Sequence, residues 1–278
     1  MIEQVVTLIL KNGNAQGILE CQIDEWYGIS YKIPRNKIRD AKALDYINNT
    51  GVYILFGEEA ETSKKIAYIG ETEKIYERIK KHNIETDFWN ECIVFMSENN
   101  SLNKAHIKYI ENELYNIAKE TNRFEIRNDT VPTRSSLGSA DEIRAKKFVE
   151  KIKIITPLIG YKLFDRVITE EQSTNDNLLY LTINGINYAK GMMTDEGFVI
   201  LKGSKLRENI SGSLSKSLVN YCERERNSTD IIDGIFVDDH LCSTPSMAAV
   251  LILGRNSDGY NEWKNKDNVS LRKITNRM

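Results

Sequence analysis

Two tyrosines occupy neighbouring apolar runs in a way that can bring both phenols to one place. Tyr53 lies near the start of the run Gly51–Phe56, and Tyr68 lies near the end of the run Ile66–Gly70. Glycines and a polar loop bound these β-branched and aromatic segments, a pattern that predicts an antiparallel hairpin. In such a hairpin the start of the first strand lies beside the end of the second. The two hydroxyls can therefore meet at a single site.

A short basic helix follows the second tyrosine. Residues Glu73–His82 have helical composition, and Thr72 offers an N-cap. Arg78 lies on this helix, and its guanidinium can hold a phosphate through two parallel hydrogen bonds, which an ammonium cannot do. His82 ends the helix and can face the same phosphate. The alternative for Arg78 is an ordinary place on a solvated helix face, and His82 can equally turn away from the site.

A carboxylate interrupts the apolar face of the long helix predicted to run to about Thr121. Apolar residues recur along that helix at helical spacing: Ile107, Ile110, Leu114, Ile117 and Ala118. Glu111 falls inside this stripe, whereas Asn112 and Glu113 are predicted to face solvent. An ionised carboxylate among aliphatic side chains is costly unless it is paired or bound to a metal. The sequence predicts a cation opposite Glu111, and the alternative is a buried salt bridge, with Arg78 as a candidate partner.

The two tyrosines belong to tripeptides that resemble a family signature. Gly51-Val52-Tyr53 and Tyr68-Ile69-Gly70 resemble the strings for which the GIY-YIG nuclease family is named. Arg78, Glu111 and Asn128 follow in the order and approximate spacing of that family's other signature residues. The resemblance covers about residues 48–132. It implies a central three-stranded antiparallel sheet flanked by helices.

The same resemblance implies metal-dependent hydrolysis of a phosphodiester. Glu111 would bind one Mg²⁺ or Mn²⁺, which as a hard cation would keep most of its waters. Tyr53 would be the general base, Tyr68 would orient the nucleophile or the phosphate, and Arg78 would neutralise the non-bridging oxygens. Asn128, in a loop after the long helix, would hold the site together through hydrogen bonds.

One position departs from the family pattern. Many relatives carry a lysine soon after the second tripeptide, and Glu71 stands there in this sequence. The cationic role of that lysine is therefore absent here, or it passes to His82 or Lys74.

The composition indicates a globular protein of the cytoplasm. The chain has 278 residues, of which 41% are hydrophobic and 28% charged, and its formal net charge is −2. No apolar run approaches the ~18 residues that a membrane helix needs. The four cysteines are far apart and lack CxxC spacing, as in reduced proteins: Cys21, Cys92, Cys222 and Cys242. Because nucleic-acid-wrapping proteins are usually basic, binding to DNA would require a local patch.

The sequence predicts an α+β protein with several parts. Residues 1–47 are predicted as a β-rich N-terminal module, and residues 48–132 as a GIY-YIG domain with a small antiparallel sheet flanked by helices. Residues 133–177 would be a linker and a helix, with a break at Glu170–Asn177. Residues 178–278 would form a C-terminal α+β domain.

The C-terminal part resembles a small domain of unknown function that often follows GIY-YIG domains in bacterial proteins. The resemblance rests on the runs Glu196–Ser204 and Ser246–Lys264. Basic residues near Tyr260 and Trp263 indicate a surface for nucleic acid, so the domain is a candidate specificity module. The alternative is that Trp263 closes a small core.

Three functions are compatible with these residues. The first is a divalent-metal-dependent DNA endonuclease, with double-stranded DNA as the favoured partner. The second, from a different class, is a protein that recognises DNA ends or branches on the same scaffold without cutting. The third is a nuclease that acts on RNA or on damaged or branched DNA. The sequence leaves the target and the oligomeric state open.

Overall fold

The structure of the protein is a computed structural model that describes residues 3–59, 64–168 and 177–276. The chain divides into two units, Met1–Asp165 and Arg166–Met278. Helices and sheets are present in both, which confirms the predicted α+β class. Of the break predicted at Glu170–Asn177, only Asn177 lies among the described residues.

A seven-stranded sheet forms the centre of the first unit. Its strands are β1 (Val6–Leu10), β2 (Leu19–Ile23), β3 (Gly28–Pro34), β4 (Gly51–Glu58), β5 (Lys65–Thr72), β6 (Trp89–Ser97) and β7 (Glu125–Ile126). They lie in the order β1-β2-β3-β6-β4-β5-β7. All neighbouring pairs are antiparallel except β5 and β7, which are parallel. The predicted antiparallel hairpin is therefore confirmed as β4 and β5.

Helices cover both faces of this sheet because successive strand residues point to opposite sides. The helices are α1 (Ile75–Glu85), α2 (Lys104–Thr121) and α3 (Ser139–Leu158), with short 3₁₀ turns at Lys11–Gly13, Arg35–Lys37 and Asp40–Ala43. Helices α2 and α3 pack on the face that presents Ile54 and Ile69. Helix α1 packs on the face that presents Tyr53 and Leu55. Tyr53 and the helix that carries Arg78 thus share one side of the sheet.

The start of α2 is fixed by a reciprocal cap. The Asn103 side-chain oxygen accepts hydrogen bonds from the backbone N–H groups of Ala105 and His106, each at 3.0 Å. In return His106 Nδ1 accepts from the Asn103 backbone N–H at 3.2 Å. Two of the helix's unpaired N–H groups are satisfied in this way. The cap holds the helix that carries Glu111 in a defined position.

Two segments that the sequence separates are joined in the structure. The sequence predicts a distinct module over residues 1–47, whereas β3 pairs with β6 along its whole length, from Gly28 opposite Ser97 to Pro34 opposite Glu91. The sequence assigns residues 133–177 to a linker and helix, whereas α3 packs against α2 and contributes Phe148 to the main core. Both segments complete the first unit because they bury apolar faces of the same sheet.

The second unit is a smaller α+β structure. Its strands are β8 (Leu179–Ile183), β9 (Ile186–Thr194), β10 (Gly197–Ile200), β11 (Ile231–Ile232), β12 (Ile235–Phe236) and β13 (His240–Cys242). Four of them form a sheet in the order β13-β10-β9-β8, and β11 pairs with β12. Its helices are α4 (Lys216–Arg226), α5 (Pro245–Leu253), α6 (Gly259–Glu262) and α7 (Leu271–Thr275). Thr244 caps α5 through its side chain, which accepts from the Met247 N–H at 3.1 Å.

Trp263 lies in the core of this second unit. Its side chain is fully buried, its ring lies 4.4 Å from that of Phe198, and its Nε1–H donates to the Pro245 carbonyl at 3.0 Å. The alternative that Trp263 closes a small core is therefore confirmed, and its buried, hydrogen-bonded indole has no face free for nucleic acid. Among the described residues, no helix combines the length and apolar character needed to span a membrane.

Candidate active site

The close approach of the two motif tyrosines depends on a glycine. In the β4–β5 register Tyr53 lies opposite Gly70, and Tyr68 lies opposite Leu55. Both tyrosines therefore point to the same face, with ring centroids 6.1 Å apart and ring planes inclined by 26°. A Cβ atom on Gly70 would overlap the phenol of Tyr53. The glycine is needed because the Tyr53 ring crosses directly over the neighbouring backbone.

Helix α1 directs two side chains to the hydroxyl of Tyr53. The Arg78 Nε–H donates to this hydroxyl at 3.0 Å, and His82 Nε2 lies 2.8 Å from it. Arg78 and His82 are four residues apart and so share one helix face. The ring of Tyr68 lies 5.2 Å from the ring of His82. Four of the six residues predicted for the site thus form one cluster.

Burial sets the resting protonation of this cluster. Burial raises the pKa of Tyr53, and the nearby Tyr68 adds to the rise, while Arg78 opposes it. Burial also lowers the pKa of His82 to about 4, with a further contribution from the positive charge of Arg78. At neutral pH Tyr53 is therefore a neutral phenol and His82 a neutral imidazole. A neutral imidazole can accept a proton from the phenol beside it.

A pocket at the edge of β5 collects the remaining predicted residues. Its volume is about 260 Å³, and Tyr68, Glu111 and Asn128 all line it. Asn128 is fixed there because its side-chain oxygen accepts from the Ile69 N–H at 3.1 Å and its NH₂ group donates to the Ile69 carbonyl at 2.7 Å. Asn128 thus continues the hydrogen-bond pattern of the strand edge beyond β7. Tyr68 belongs both to this pocket and to the Tyr53 cluster.

Glu111 is half-buried and carries a perturbed pKa. Burial is the largest cause, and the negative charge of Glu71 adds to it, so that the pKa of Glu111 rises to about 7. A hydrogen bond from the Glu71 backbone and the charges of Lys104 and Lys108 act in the opposite direction. No basic side chain in the described part of the chain forms an ion pair with Glu111. The alternative of a salt bridge with Arg78 is therefore wrong, since Arg78 donates to Tyr53 instead.

Glu71, the residue that departs from the family pattern, is held by a lysine of α2. Lys104 Nζ donates to both carboxylate oxygens of Glu71, each at 2.7 Å. The Glu71 side chain is only 12% exposed, and Glu71 lines the same pocket as Glu111. Lys104 thereby places a positive charge beside the position where the resemblance predicts a cation. It occupies neither of the two positions, His82 and Lys74, that the sequence suggests for this role.

Sequence reasoning missed Lys104 and Lys108, although their spacing carries a signal. They precede Glu111 by seven and three residues, which places all three on one helix face. The environment of Asn112 was also mispredicted. Asn112 is buried rather than solvated, and its side chain donates to the Pro132 carbonyl at 2.7 Å. That hydrogen bond fixes the loop that closes one side of the pocket.

The donors around Glu111 suit a hard cation that retains most of its water. Within residues 3–59, 64–168 and 177–276, no cluster of three or more acidic, histidine or cysteine side chains could enclose a metal. Three acidic residues, Glu71, Glu111 and Asp129, line the pocket, and Glu71 is paired with Lys104. Such a site is compatible with Mg²⁺ or Mn²⁺, which often bind through one or two carboxylates. Glu111 has no ion-pair partner in the described part of the chain, so its ionised carboxylate would be open to a cation.

A larger cavity lies at the opposite end of the hairpin. It has a volume of about 320 Å³ and is lined by residues that include Lys32, Glu91 and Tyr161. Glu91 accepts a short hydrogen bond from the Tyr161 hydroxyl and lies 3.3 Å from Lys32 Nζ. Because its carboxylate is already satisfied, the smaller pocket beside Glu111 is the better candidate for chemistry.

Comparison with known proteins identifies the C-terminal unit. Residues 179–275 match the family described as Domain of unknown function (DUF4357). This match confirms the predicted C-terminal domain of unknown function. No model of the GIY-YIG family matches the chain. No curated protein and no solved structure matches it either.

Proposed function

We propose that the protein is a divalent-metal-dependent nuclease whose active site joins the Tyr53 cluster to the Glu111 pocket. The observation that carries the proposal is that Tyr68 belongs both to the cluster with Tyr53, Arg78 and His82 and to the pocket of Glu111, a half-buried carboxylate with no ion-pair partner among the described residues. Such a group contains a proton acceptor, a phosphate-binding cation and a metal-binding acid. Those are the parts needed to hydrolyse a phosphodiester.

The proposed base is the Tyr53–His82 pair rather than Tyr53 alone. Because burial raises the pKa of Tyr53, a standing phenolate is disfavoured at neutral pH. The neutral His82 lies 2.8 Å away and can take the phenol proton as Tyr53 takes one from the attacking water. Arg78 donates to the same oxygen and favours its negatively charged form. The resulting hydroxide attacks phosphorus, and the bond to the leaving sugar oxygen breaks. Because the pKa of His82 is about 4, His82 then releases its proton through solvent to that oxygen.

The remaining side chains position the phosphate and balance its charge. Arg78 has guanidinium N–H groups besides the Nε–H that bonds to Tyr53, and these can bind non-bridging oxygens. Tyr68 faces both halves of the site and can orient the phosphate through its hydroxyl. Lys104 and Lys108 add positive charge on the α2 side. With Arg78 they place three positive charges near the carboxylates of Glu71 and Glu111, and Lys104 is paired with Glu71.

Glu111 would hold the metal ion, and Asn128 would keep the pocket wall in place through Ile69. When bound, Mg²⁺ or Mn²⁺ would polarise the phosphate and stabilise the leaving oxygen. Because the pKa of Glu111 is about 7, its carboxylate would have to lose a proton to bind the ion, so binding should strengthen as the pH rises through 7.

A second candidate function is recognition of DNA without cleavage. Glu71 favours this second function, because this acid stands where the family resemblance predicts a catalytic cation. Both of its carboxylate oxygens accept hydrogen bonds from Lys104. A lysine held by a carboxylate at 2.7 Å is less available to a phosphate. DNA double strands remain the favoured partner in both cases, and RNA is the alternative substrate.

The test is an assay of purified protein on supercoiled plasmid, branched DNA and RNA, with Mn²⁺ or with EDTA. We expect cleavage only with Mn²⁺, and a loss of about 100-fold or more in rate for Tyr53→Phe and Glu111→Gln. Glu113→Gln is the matched control, because Glu113 lies on the same helix and pairs with Arg134 at 3.3 Å. Full activity of Tyr53→Phe would refute the proposed base. Equal DNA binding with and without EDTA, and no cleavage of any substrate, would favour the second candidate.

A further inference from the structure

Strand β1 forms an unprotected edge of the seven-stranded sheet. In the part of the chain that the structure describes it pairs only with β2. Between Glu3 and Lys11 the segment carries no charge and no proline. Its large apolar side chains are exposed: Val5 60%, Leu8 47%, Ile9 39% and Leu10 46%. An apolar edge of this kind is a template for another strand.

The opposite edge of the sheet is protected, which makes β1 distinctive. Strand β7 has only two residues, Glu125 and Ile126. Glu125 forms ion pairs with Arg127 at 3.1 Å and with Lys64 at 3.3 Å. A short strand surrounded by charge resists pairing with another chain. Association through the sheet is therefore directed to β1.

The hydrogen bonds to β2 decide which residues of β1 face the open side. The Lys11 N–H donates to the Ile18 carbonyl at 3.0 Å, and the Val5 carbonyl accepts from the Asp24 N–H at 3.1 Å. In an antiparallel pair, the residues that bond to one neighbour alternate along the strand. The odd-numbered residues of β1 therefore bond to β2, and the even-numbered residues direct their N–H and C=O groups outward.

A second copy of β1 can satisfy these outward groups when even residues lie opposite even residues. One such antiparallel register centres on Thr7, which then faces Thr7 of the second copy. In this register Glu3 of each copy comes opposite Lys11 of the other, just beyond the two ends of β1, so an acidic flank of one strand meets the basic flank of its mate. Shifting the register by two residues in either direction loses both opposite-charge pairs. Lys11 also contacts Glu20 at 2.7 Å, but an ammonium has three donors and can serve both acids.

We infer that the protein forms a symmetric dimer in which β1 pairs antiparallel with β1 of a second copy, centred on Thr7. A two-fold interface uses the same patch twice, which the Glu3 and Lys11 flanks of this strand permit. The pairing covers the exposed Leu8 and Ile9 and joins the two sheets through backbone hydrogen bonds. This inference is independent of the proposed nuclease activity.

Light scattering on the full chain tests the association. We expect a mass of about 64 kDa at micromolar concentrations, twice the 31.9 kDa of the chain. Leu8→Lys should shift the protein to the monomer mass, because it places like charges across the interface. Ile84→Lys is the matched control, since Ile84 is 79% exposed on α1 and lies outside β1. A monomeric parent, or a dimer that Leu8→Lys leaves intact, would overturn the inference.

Cysteine cross-linking tests the register. Thr7→Cys should form a disulfide-linked dimer under copper–phenanthroline oxidation, because the two Thr7 Cα atoms would lie ~4.5 Å apart in a non-hydrogen-bonded pair. Ile9→Cys is the control on the same strand face, and its two copies would be more than ~7 Å apart. The native cysteines are all buried and reduced. Cross-linking through Ile9→Cys, or failure of Thr7→Cys in a dimeric protein, would overturn the register.

Discussion

Replacing Glu111 by glutamine should stabilise the protein at alkaline pH while it abolishes the proposed activity. Burial and the charge of Glu71 raise the pKa of Glu111 from 4.5 to about 7. A group whose folded pKa exceeds its unfolded pKa favours the folded state at low pH, and this stability is lost as the pH rises through the folded pKa. The cost of ionising Glu111 therefore develops between about pH 4.5 and pH 7. A glutamine at this position cannot ionise, so the variant does not have this cost.

The size of the effect follows from the pKa shift. A shift of one pKa unit corresponds to ~1.4 kcal/mol of stability. Because the Glu111 side chain retains some contact with solvent, we expect less than the whole shift would give, about 1–2 kcal/mol. For a unit of this size, 1 kcal/mol corresponds to a change of ~2–4 °C in Tm. We therefore expect Glu111→Gln to melt about 2–8 °C above the parent at pH 8 and at nearly the same temperature at pH 4.5.

Thermal melts in EDTA at both pH values measure this difference, with Glu113→Gln as the control that should show no such pH dependence. Mn²⁺ should then raise the Tm of the parent at pH 8 and leave Glu111→Gln unchanged, because a ligand stabilises only the state that binds it. An equal loss of stability in Glu111→Gln at both pH values would refute the reasoning. It would mean that the ionised carboxylate is already compensated inside the folded protein.

Three further predictions concern other parts of the structure. Gly70→Ala should displace the Tyr53 ring and lower the cleavage rate at least ~10-fold with the fold retained by circular dichroism; an unchanged rate would contradict the packing argument. Lys104→Met should raise the pKa of Glu111 further and move the pH–rate profile to higher pH, whereas an unmoved profile would show that Lys104 acts only on Glu71. Burial alone would lower the pKa of His240, but its hydrogen bond to Asp230 and the nearby Cys242 and Glu225 raise it to about 10. The stability that this ion pair contributes should be complete below about pH 6.5 and lost as the pH rises through 10, and His240→Asn should cost about 3 kcal/mol at pH 7 in calorimetric melts and remove that dependence.

The elements of the site were predictable because their signals are local. The apolar runs Gly51–Phe56 and Ile66–Gly70, bounded by glycines and a polar loop, define two strands, and their pairing alone brings Tyr53 and Tyr68 to one face. Helical spacing likewise places Glu111 beside the apolar stripe of α2, where its half-buried side chain lines the pocket. The C-terminal domain was recognisable from the runs within residues 179–275. Each of these features can be recognised from short runs of residues that are close together in the sequence.

The partners across the fold were decided only by the tertiary structure. The pairing of β3 with β6 makes the N-terminal strands part of the main sheet, and no local pattern specifies that neighbour. Lys104 meets Glu71 across an interval of 33 residues, and Asn128 meets Ile69 across 59. Periodicity fixes which way a side chain points from its own element, whereas sheet order and helix packing fix what it meets there. For the same reason the burial of Trp263 and the missing partner of Glu111 became visible only when separate elements came together.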